Sequence, residues 1–428
     1  MDYQKYLSNF LDYCKSEITI TEWNRRFSNC ENNYIYLKEN PIFLAEKESN
    51  SRTFISPQYL TKDVPMWYLY NIFNFIHNPE MCDLGLLART LPKILRISEQ
   101  LPKFITQKGF TGKMKDLLHL NNINFENTIF ELLVGGLYLR NGATNIEFLF
   151  DKSKKLADIH ADYYGFLYIE CKRRTKESEY SRKERELWYQ QYLPIQDYLT
   201  EHQKSLVIKI TFHHELNTYP KNYLYDLLKP MIDGKSRYGL VYDNEDITIE
   251  FNEPDFQGLN EKPANKWKIY SPTFTRRLFG LDDERYGITM CVYSNRNRIT
   301  DYVSDVKKAN AGIWYCDSIE AIRNKSVSFK KNIVRALSQI PNEQVGSVHI
   351  CYESYNGAEV ESMNYNRILS DLKNFDLRNK KINFIYLHNL RLLLPENEIF
   401  DCIETVVPIT NDNSNLKQKL LNPQIICF

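Results

Sequence analysis

The sequence predicts an α/β protein in which a mixed sheet is flanked by helices. Three observations carry this reading. Apolar residues recur at helical spacing through the first 120 residues, two short alternating runs meet at a tight turn near residue 164, and strand-like and helix-like segments alternate after residue 265. A chain of 428 residues is long enough for two or three domains with ample core. We read a mainly helical amino-terminal region (1–120), a central core (121–252) and an α/β carboxy-terminal extension or second lobe (253–428). The last boundary rests on the stretch 252–265, where Pro254, Gly258 and Pro263 make the clearest loop.

Composition narrows the class. The net charge of +1 means that no global field draws the chain to nucleic acid, so any basic surface is local. Tyr (30) and Phe (23) are too abundant for a disordered chain. The nine Cys are scattered, odd in number and lack a C-x-x-C pair, which fits a reducing compartment and argues against a zinc site or a disulfide framework. The amino terminus lacks a basic-then-apolar leader and no apolar run approaches the length of a membrane span. The expectation is a cytoplasmic protein without a membrane partner.

In the first region, segments 3–14 and 66–76 have helical periodicity, and 86–101 continues it with a break expected at Pro92. Trp23 and Trp67 read as core. Lys103, Lys108, Lys113 and Lys115 form a basic run, either a solvated face or one that touches phosphates. The next helix spans about 126–141, with Asn124 as its cap and Asn141-Gly142 as its stop. Gly135-Gly136 inside it costs about 1 kcal/mol per Gly relative to Ala, so something must pack very close there. Residues 145–150 read as a strand.

The chemistry centres on residues 156–174. They read as two strands around a turn at Tyr163-Tyr164-Gly165, with Gly165 supplying the positive φ. That register sets Asp158 directly across from Glu170, with Cβ atoms about 4.5–5.5 Å apart. One face carries Ala157, Ile159, Ala161, Leu167, Ile169 and Cys171; the other carries Asp158, His160, Tyr168, Glu170 and Lys172. Opposed carboxylates repel unless something binds between them. Mg²⁺ suits, since it prefers oxygen ligands and accepts one or two protein carboxylates with waters and substrate phosphates. Lys172 points the same way, beside an attacking water or a five-coordinate phosphate. The bland alternative is an amphipathic hairpin with a solvated charge cluster on its wet face.

A charged helix is expected over 176–192, ending or kinking at Pro194. Its Lys176, Arg182, Lys183 and Arg185, with Arg173 and Arg174, make a nucleic-acid-binding surface, or equally a set of i,i+4 pairs on an exposed face. Residues 205–212 read as the fourth strand of the sheet, and 238–242 with 247–251 as a hairpin around Asn244. Beyond the loop come strands near 267–270 and 286–293. A helix over 319–340, a strand at 346–352, a helix over 360–375 and strands at 381–387 and 402–407 follow. This alternation implies further parallel sheet, either extending the first or forming a separate lobe.

A helix bearing a Glu, a strand, a strand with Ala157-Asp158-Ile159 and a strand with Ile169-Glu170-Cys171-Lys172, then a helix, follow one another over roughly residues 121–215. In this order the sequence resembles the PD-(D/E)XK nuclease superfamily, with Ala157 in place of the usual Pro and no specific family identified. The resemblance implies a restriction-endonuclease-like core that hydrolyses nucleic-acid phosphodiesters, DNA before RNA, with Mg²⁺ or Mn²⁺ as its substitute. It implies a catalytic set of Glu131, Asp158, Glu170 and Lys172. Asp158, Glu170 and the main-chain carbonyl of Cys171 would bind the metal, with Glu131 completing the shell. Glu126, nearer the start of the helix, competes with Glu131 and reads otherwise as a first-turn acid facing the helix dipole. By association with the superfamily, a second copy of the chain or a partner protein in defence against foreign DNA is a further expectation. A reading of another class is a catalytically silent binding module that kept the fold.

Overall fold

The computed structural model describes residues 3–39, 63–120, 122, 124–150, 157–174, 178–234, 238–260, 267–269, 271–281, 285–296, 302–326, 329–354, 357–373, 381–393, 401–410 and 419–426. Lys176 and Pro263, both named above, lie outside the described residues.

The amino-terminal region is helical: α1 (Tyr3–Ser16), α2 (Ile20–Glu39), α3 (Val64–His77), α4 (Leu84–Phe104), α5 (Phe110–Leu118) and α6 (Phe125–Arg140). Asp63 starts α3 by accepting the N–H of Met66, and the same carboxylate receives Nε and Nη2 of the buried Arg26, each at 2.7 Å. The break expected at Pro92 does not occur: α4 continues through Pro92 and Pro102. Packing of α4 against α1 and α6 outweighs the cost of a lost helical hydrogen bond. No helix among the described residues is long and apolar enough to cross a membrane.

Strands β1 (Asn145–Phe148), β2 (Ile159–Asp162) and β3 (Phe166–Arg174) then form an antiparallel meander. The chain leaves through α7 (Glu179–Glu201), β4 (Leu206–Phe212), α8 (Tyr223–Asp233), β5 (Gly239–Asp243) and β6 (Ile247–Asn252). It continues through α9 (Phe256–Asn260), β7 (Trp267–Lys268), α10 (Pro272–Phe279), β8 (Gly287–Arg296) and β9 (Tyr302–Cys316). It returns through α11 (Ile319–Lys325) and α12 (Lys330–Gln339) to β10 (Gly346–Ser354), α13 (Ala358–Lys373), β11 (Ile382–Leu393) and β12 (Asp401–Thr410).

The protein is thus mixed α/β, with two mixed sheets flanked by helices. The first has the order β1-β2-β3-β10-β11-β12, its β3–β10 and β10–β11 pairs parallel. The second has the order β5-β6-β4-β9-β7, with β8 also on β9 and the β4–β9 pair parallel. Residues 205–212 therefore do not extend the first sheet as expected. Trp188, Tyr192, Ile195 and Leu199 of α7 share a core with Ile208, Ile210 and Phe212, and this packing draws β4 into the second sheet. The edge of β3 is covered instead by β10, whose Val348 and Ile350 are fully buried, as an apolar parallel strand requires. The first sheet so takes strands from both sides of residue 252. Helix α7 runs through Pro194, and the single helix expected over 319–340 is two, α11 and α12.

Each sheet is covered on both faces. One face of the first packs on the amino-terminal helices, and the other on α12 and α13 through Ile333, Ile368, Val348 and Ile350. Polar groups inside the first core are chained together. Tyr138 meets His349 at 3.2 Å, His349 meets His388 at 2.9 Å and His388 meets Glu404 at 3.0 Å. The Glu404 carboxylate also accepts the N–H groups of Ile425 and Ile426, which holds the segment 419–426 against the core.

The glycine pair in α6 marks the contact with β1. A Cβ on Gly135 would lie 2.9 Å from Cζ of Phe148 and 3.0 Å from Cδ1 of Ile146, whereas one on Gly136 would meet Phe104 at 3.2 Å. Gly135→Ala therefore overpacks the helix–sheet contact and is expected to destabilise by about 1–3 kcal/mol, more than its helix-propensity gain recovers. Gly136→Ala should be close to neutral. Urea denaturation of the two variants tests the difference, and equal stabilities would mean that α6 does not approach β1 this closely.

Candidate active site

The hairpin has the expected register. Gly165 adopts φ 111° and Tyr164 φ 50°, the Tyr163 N–H donates to the Gly165 carbonyl at 3.0 Å, and Asp162 pairs with Phe166. The ladder runs to Ile159 opposite Ile169, and the Asp158 N–H donates to the Ile169 carbonyl at 3.1 Å. Asp158 and Ile159 thus both face Ile169, and Asp158 reaches β3 through this irregularity, its Oδ2 accepting the Cys171 N–H, and not as the direct partner of Glu170 that the sequence suggested. Ile159, Ala161, Leu167, Ile169 and Cys171 anchor one face in the helical core, while Ala157, expected there too, joins the core on the opposite face.

Three carboxyl groups converge at the open end of this hairpin. Glu170 has no exposed surface; its Oε1 accepts from the Lys172 ammonium and its Oε2 is buried without a hydrogen-bond partner. Burial, and then the charge of Asp158, push its pKa up to about 9, although Lys172 pulls the other way. Asp158 Oδ2 accepts the N–H of Cys171 at 2.8 Å. Burial raises its pKa too, against the pull of Lys172 and of that N–H. Glu131 arrives from α6, paired with Lys113 of α5, and burial followed by Asp158 lifts it to about 7. Burial disfavours the Lys172 ammonium, but Glu170 and Asp158 outweigh it and its pKa rises. Among the described residues no three His, Cys, Asp or Glu side chains are already closed around one metal point. The site instead sets three carboxyls against two ammoniums.

The remaining predicted residues fall elsewhere. Glu126 lies in a separate buried network, with Lys93 at 3.3 Å, Arg173 at 3.1 Å and the Tyr68 hydroxyl. Burial would raise its pKa, yet Lys93 and Arg173 hold it below the usual carboxylate value. Arg173 is a correction to the expected phosphate-contacting surface. Its side chain is 2% exposed and bridges Glu126 and Glu353, the latter at 2.7 Å. Strand alternation puts it on the same face as Cys171, toward the helices, and away from Lys172. Arg174 lies over the Phe329 ring at 5.6 Å. Arg182 and Arg185 are exposed on α7, where Arg182 pairs with Glu186 and Lys183 with Glu179 in i,i+4 fashion.

Lys113, expected in a basic run that is solvated or touches phosphates, is instead buried and paired with Glu131. Its signal was the apolar stripe Phe110, Met114, Leu117 and Leu118, which turns position 113 inward with it. No family model, curated protein or solved structure matches the chain.

The raised carboxyls carry a sign that can be checked. With a folded pKa near 9 and an unfolded value near 4.5, Glu170 binds more protons in the folded state across that interval. Its contribution to stability is therefore greatest at low pH and is lost as pH rises through the interval. In chelator at pH 8, Glu170→Gln should melt several degrees above wild type, and the gap should close toward pH 5. A gap that ignores pH, or a less stable variant at pH 8, would show Glu170 to be an ordinary ionised partner of Lys172.

Proposed function

We propose that the chain is a metal-dependent nuclease with a restriction-endonuclease-like core, hydrolysing phosphodiester bonds of nucleic acid, with DNA as the favoured substrate. The observation that carries the reading is the convergence of Asp158, Glu170, Glu131 and Lys172 on one patch of a hairpin rigidly anchored from behind. Structural charge clusters are normally neutralised by their own partners. Here a fully buried carboxyl keeps an unpartnered oxygen and a pKa near 9, beside two further acids whose values are also raised. Such an arrangement is poorly suited to its own stability and well suited to a divalent cation.

The donor set fits Mg²⁺ or Mn²⁺. Asp158 and Glu170, with the main-chain carbonyl of Cys171, would hold it and Glu131 would complete the shell, all through hard oxygen donors. When bound, the cation supplies Lewis acidity for the scissile phosphate and acidifies water beside it. The chain's own residues do the rest. The Cys171 N–H fixes the Asp158 carboxylate. Glu170, its proton released to solvent, would serve as a cation ligand, and the neighbouring Lys172 ammonium would face the attacking water and the charge developing on phosphate. Lys113 offsets Glu131 on the far side. Arg182, Lys183 and Arg185, exposed on α7, would meet the backbone of a substrate.

Cleavage assays on single- and double-stranded DNA and RNA, with and without Mg²⁺, test the reading. Asp158→Ala and Glu170→Ala should each abolish metal-dependent cleavage, and Lys172→Ala should abolish turnover while leaving Mn²⁺ affinity nearly intact. Glu131→Gln should depress the rate strongly, whereas Glu126→Gln should lower the melting temperature and leave the rate largely unchanged. No metal-dependent cleavage of any of the four substrates by wild type, or activity surviving in either carboxylate variant, would leave a silent binding module as the better reading.

A further inference from the structure

The hairpin face that carries Glu170 continues past the buried acidic cluster toward an exposed tip. Two residues along each strand from Asp158 and Glu170 stand His160 and Tyr168, paired across the strands with ring centroids 5.0 Å apart. One step further, Phe166 stacks on His160 at 5.4 Å with the planes 18° apart. Phe166 is 68% exposed, the largest exposure among the aromatic side chains described. At the tip Tyr164 is 51% exposed, holds φ 50° at a position where Gly or Asn is the unstrained choice, and lies beneath the Lys419 ammonium at 4.7 Å. Lys108, 78% exposed, pairs with Glu147 of the neighbouring strand β1, which sits opposite His160.

A cross-strand aromatic pair stabilises a hairpin by a few tenths of a kcal/mol to about 1 kcal/mol, which accounts for His160 with Tyr168. It does not account for Phe166. A β-branched residue at the strand end would bury as much of itself without presenting a whole ring to solvent. An exposed ring stacked on a second ring, on the strand that carries Glu170 and with ammonium groups over Tyr164 and on Glu147 of the adjoining strand, is the arrangement that holds unpaired bases: π-faces for the bases and cations for the phosphates.

We propose that Phe166, backed by His160 and Tyr168, is a stacking platform for the unpaired bases of a single strand, so that the substrate of the adjoining site is single-stranded nucleic acid or a strand splayed from a duplex. The inference rests on the nuclease reading for its direction, from platform to acids, and on the ring geometry alone for the binding itself. A base on Phe166 sits two residues along the strand from Tyr168 and four from Glu170. The backbone of the same strand thus reaches the carboxyls without the duplex having to enter.

The test uses the full chain in chelator, so that no cleavage interferes, and oligonucleotides of about 12 nucleotides carrying 2-aminopurine as single-stranded DNA, single-stranded RNA and duplex DNA. Wild type should bind single strands more tightly than duplex and quench the 2-aminopurine fluorescence by stacking. Phe166→Ala should weaken single-strand binding about tenfold and relieve the quench, with the slope of affinity against salt unchanged because no phosphate contact is lost. Phe166→Trp should restore both. The DNA and RNA arms tell which sugar is preferred. The platform is overturned if wild type does not bind single strands, if Phe166→Ala binds them as wild type does, or if it loses affinity equally for duplex. A chain that stacks 2-aminopurine yet never cleaves with Mg²⁺ keeps the platform and removes the nuclease. One that cleaves normally with Phe166→Ala, and binds single strands unchanged, does the reverse.

Discussion

Carboxyl groups buried within reach of one another cannot all be charged without a cation among them, and this constraint organises the centre of the molecule. Glu170 is tied to its position by β3, Asp158 by the Cys171 N–H and the Ile169 carbonyl, and Glu131 by α6. None can move away from the others without unpacking the sheet. Lys172 and Lys113 relieve part of the repulsion, and protons relieve the rest, which is why the pKa values rise and do not fall. The energy held in this arrangement is what a divalent ion would release on binding.

The rest of the first sheet serves to keep that arrangement rigid. The hairpin is buried from behind by the helices, and its outer strand is sealed by parallel pairing with β10. Behind Lys172, Arg173 locks β3 to α6 and β10 through Glu126 and Glu353, where burial of the two acids is overcome by Lys93, Arg89 and Arg173 itself. Two successive residues thus do opposite work: Lys172 faces the acids on one side of the strand, and Arg173 staples the strand on the other. The second sheet, inserted between β3 and β10, adds its own two cores and touches the first through α11, which packs on both α7 and α13.

Local features of this site were legible in the sequence and long-range ones were not. The hairpin register followed from period-two alternation and the glycine turn, and the close approach at Gly135 from the cost of glycine in a helix. Arg173 was misassigned because a run of cations was read as a surface. The same alternation that placed Lys172 beside Glu170 places Arg173 with Cys171. Strand β9 escaped notice because Lys307, Lys308 and Asn310 interrupt its apolar pattern, although Ala309, Ala311 and Ile313 are buried. The partner of β3 was beyond local reading altogether: β10 begins at Gly346, and nothing near β3 in sequence distinguishes it from β4 as the neighbouring strand.

Proton release on metal binding tests the central claim most directly. Titrating Mn²⁺ calorimetrically into metal-free protein at pH 7, in two buffers of different ionisation enthalpy, counts the protons expelled per ion. A carboxyl held protonated by its neighbours must lose that proton to become a ligand, so wild type should release roughly one proton per ion and Glu170→Gln markedly less. Absence of Mn²⁺ binding, or the same proton count in Glu170→Gln as in wild type, would contradict the assignment of Asp158 and Glu170 as a metal site.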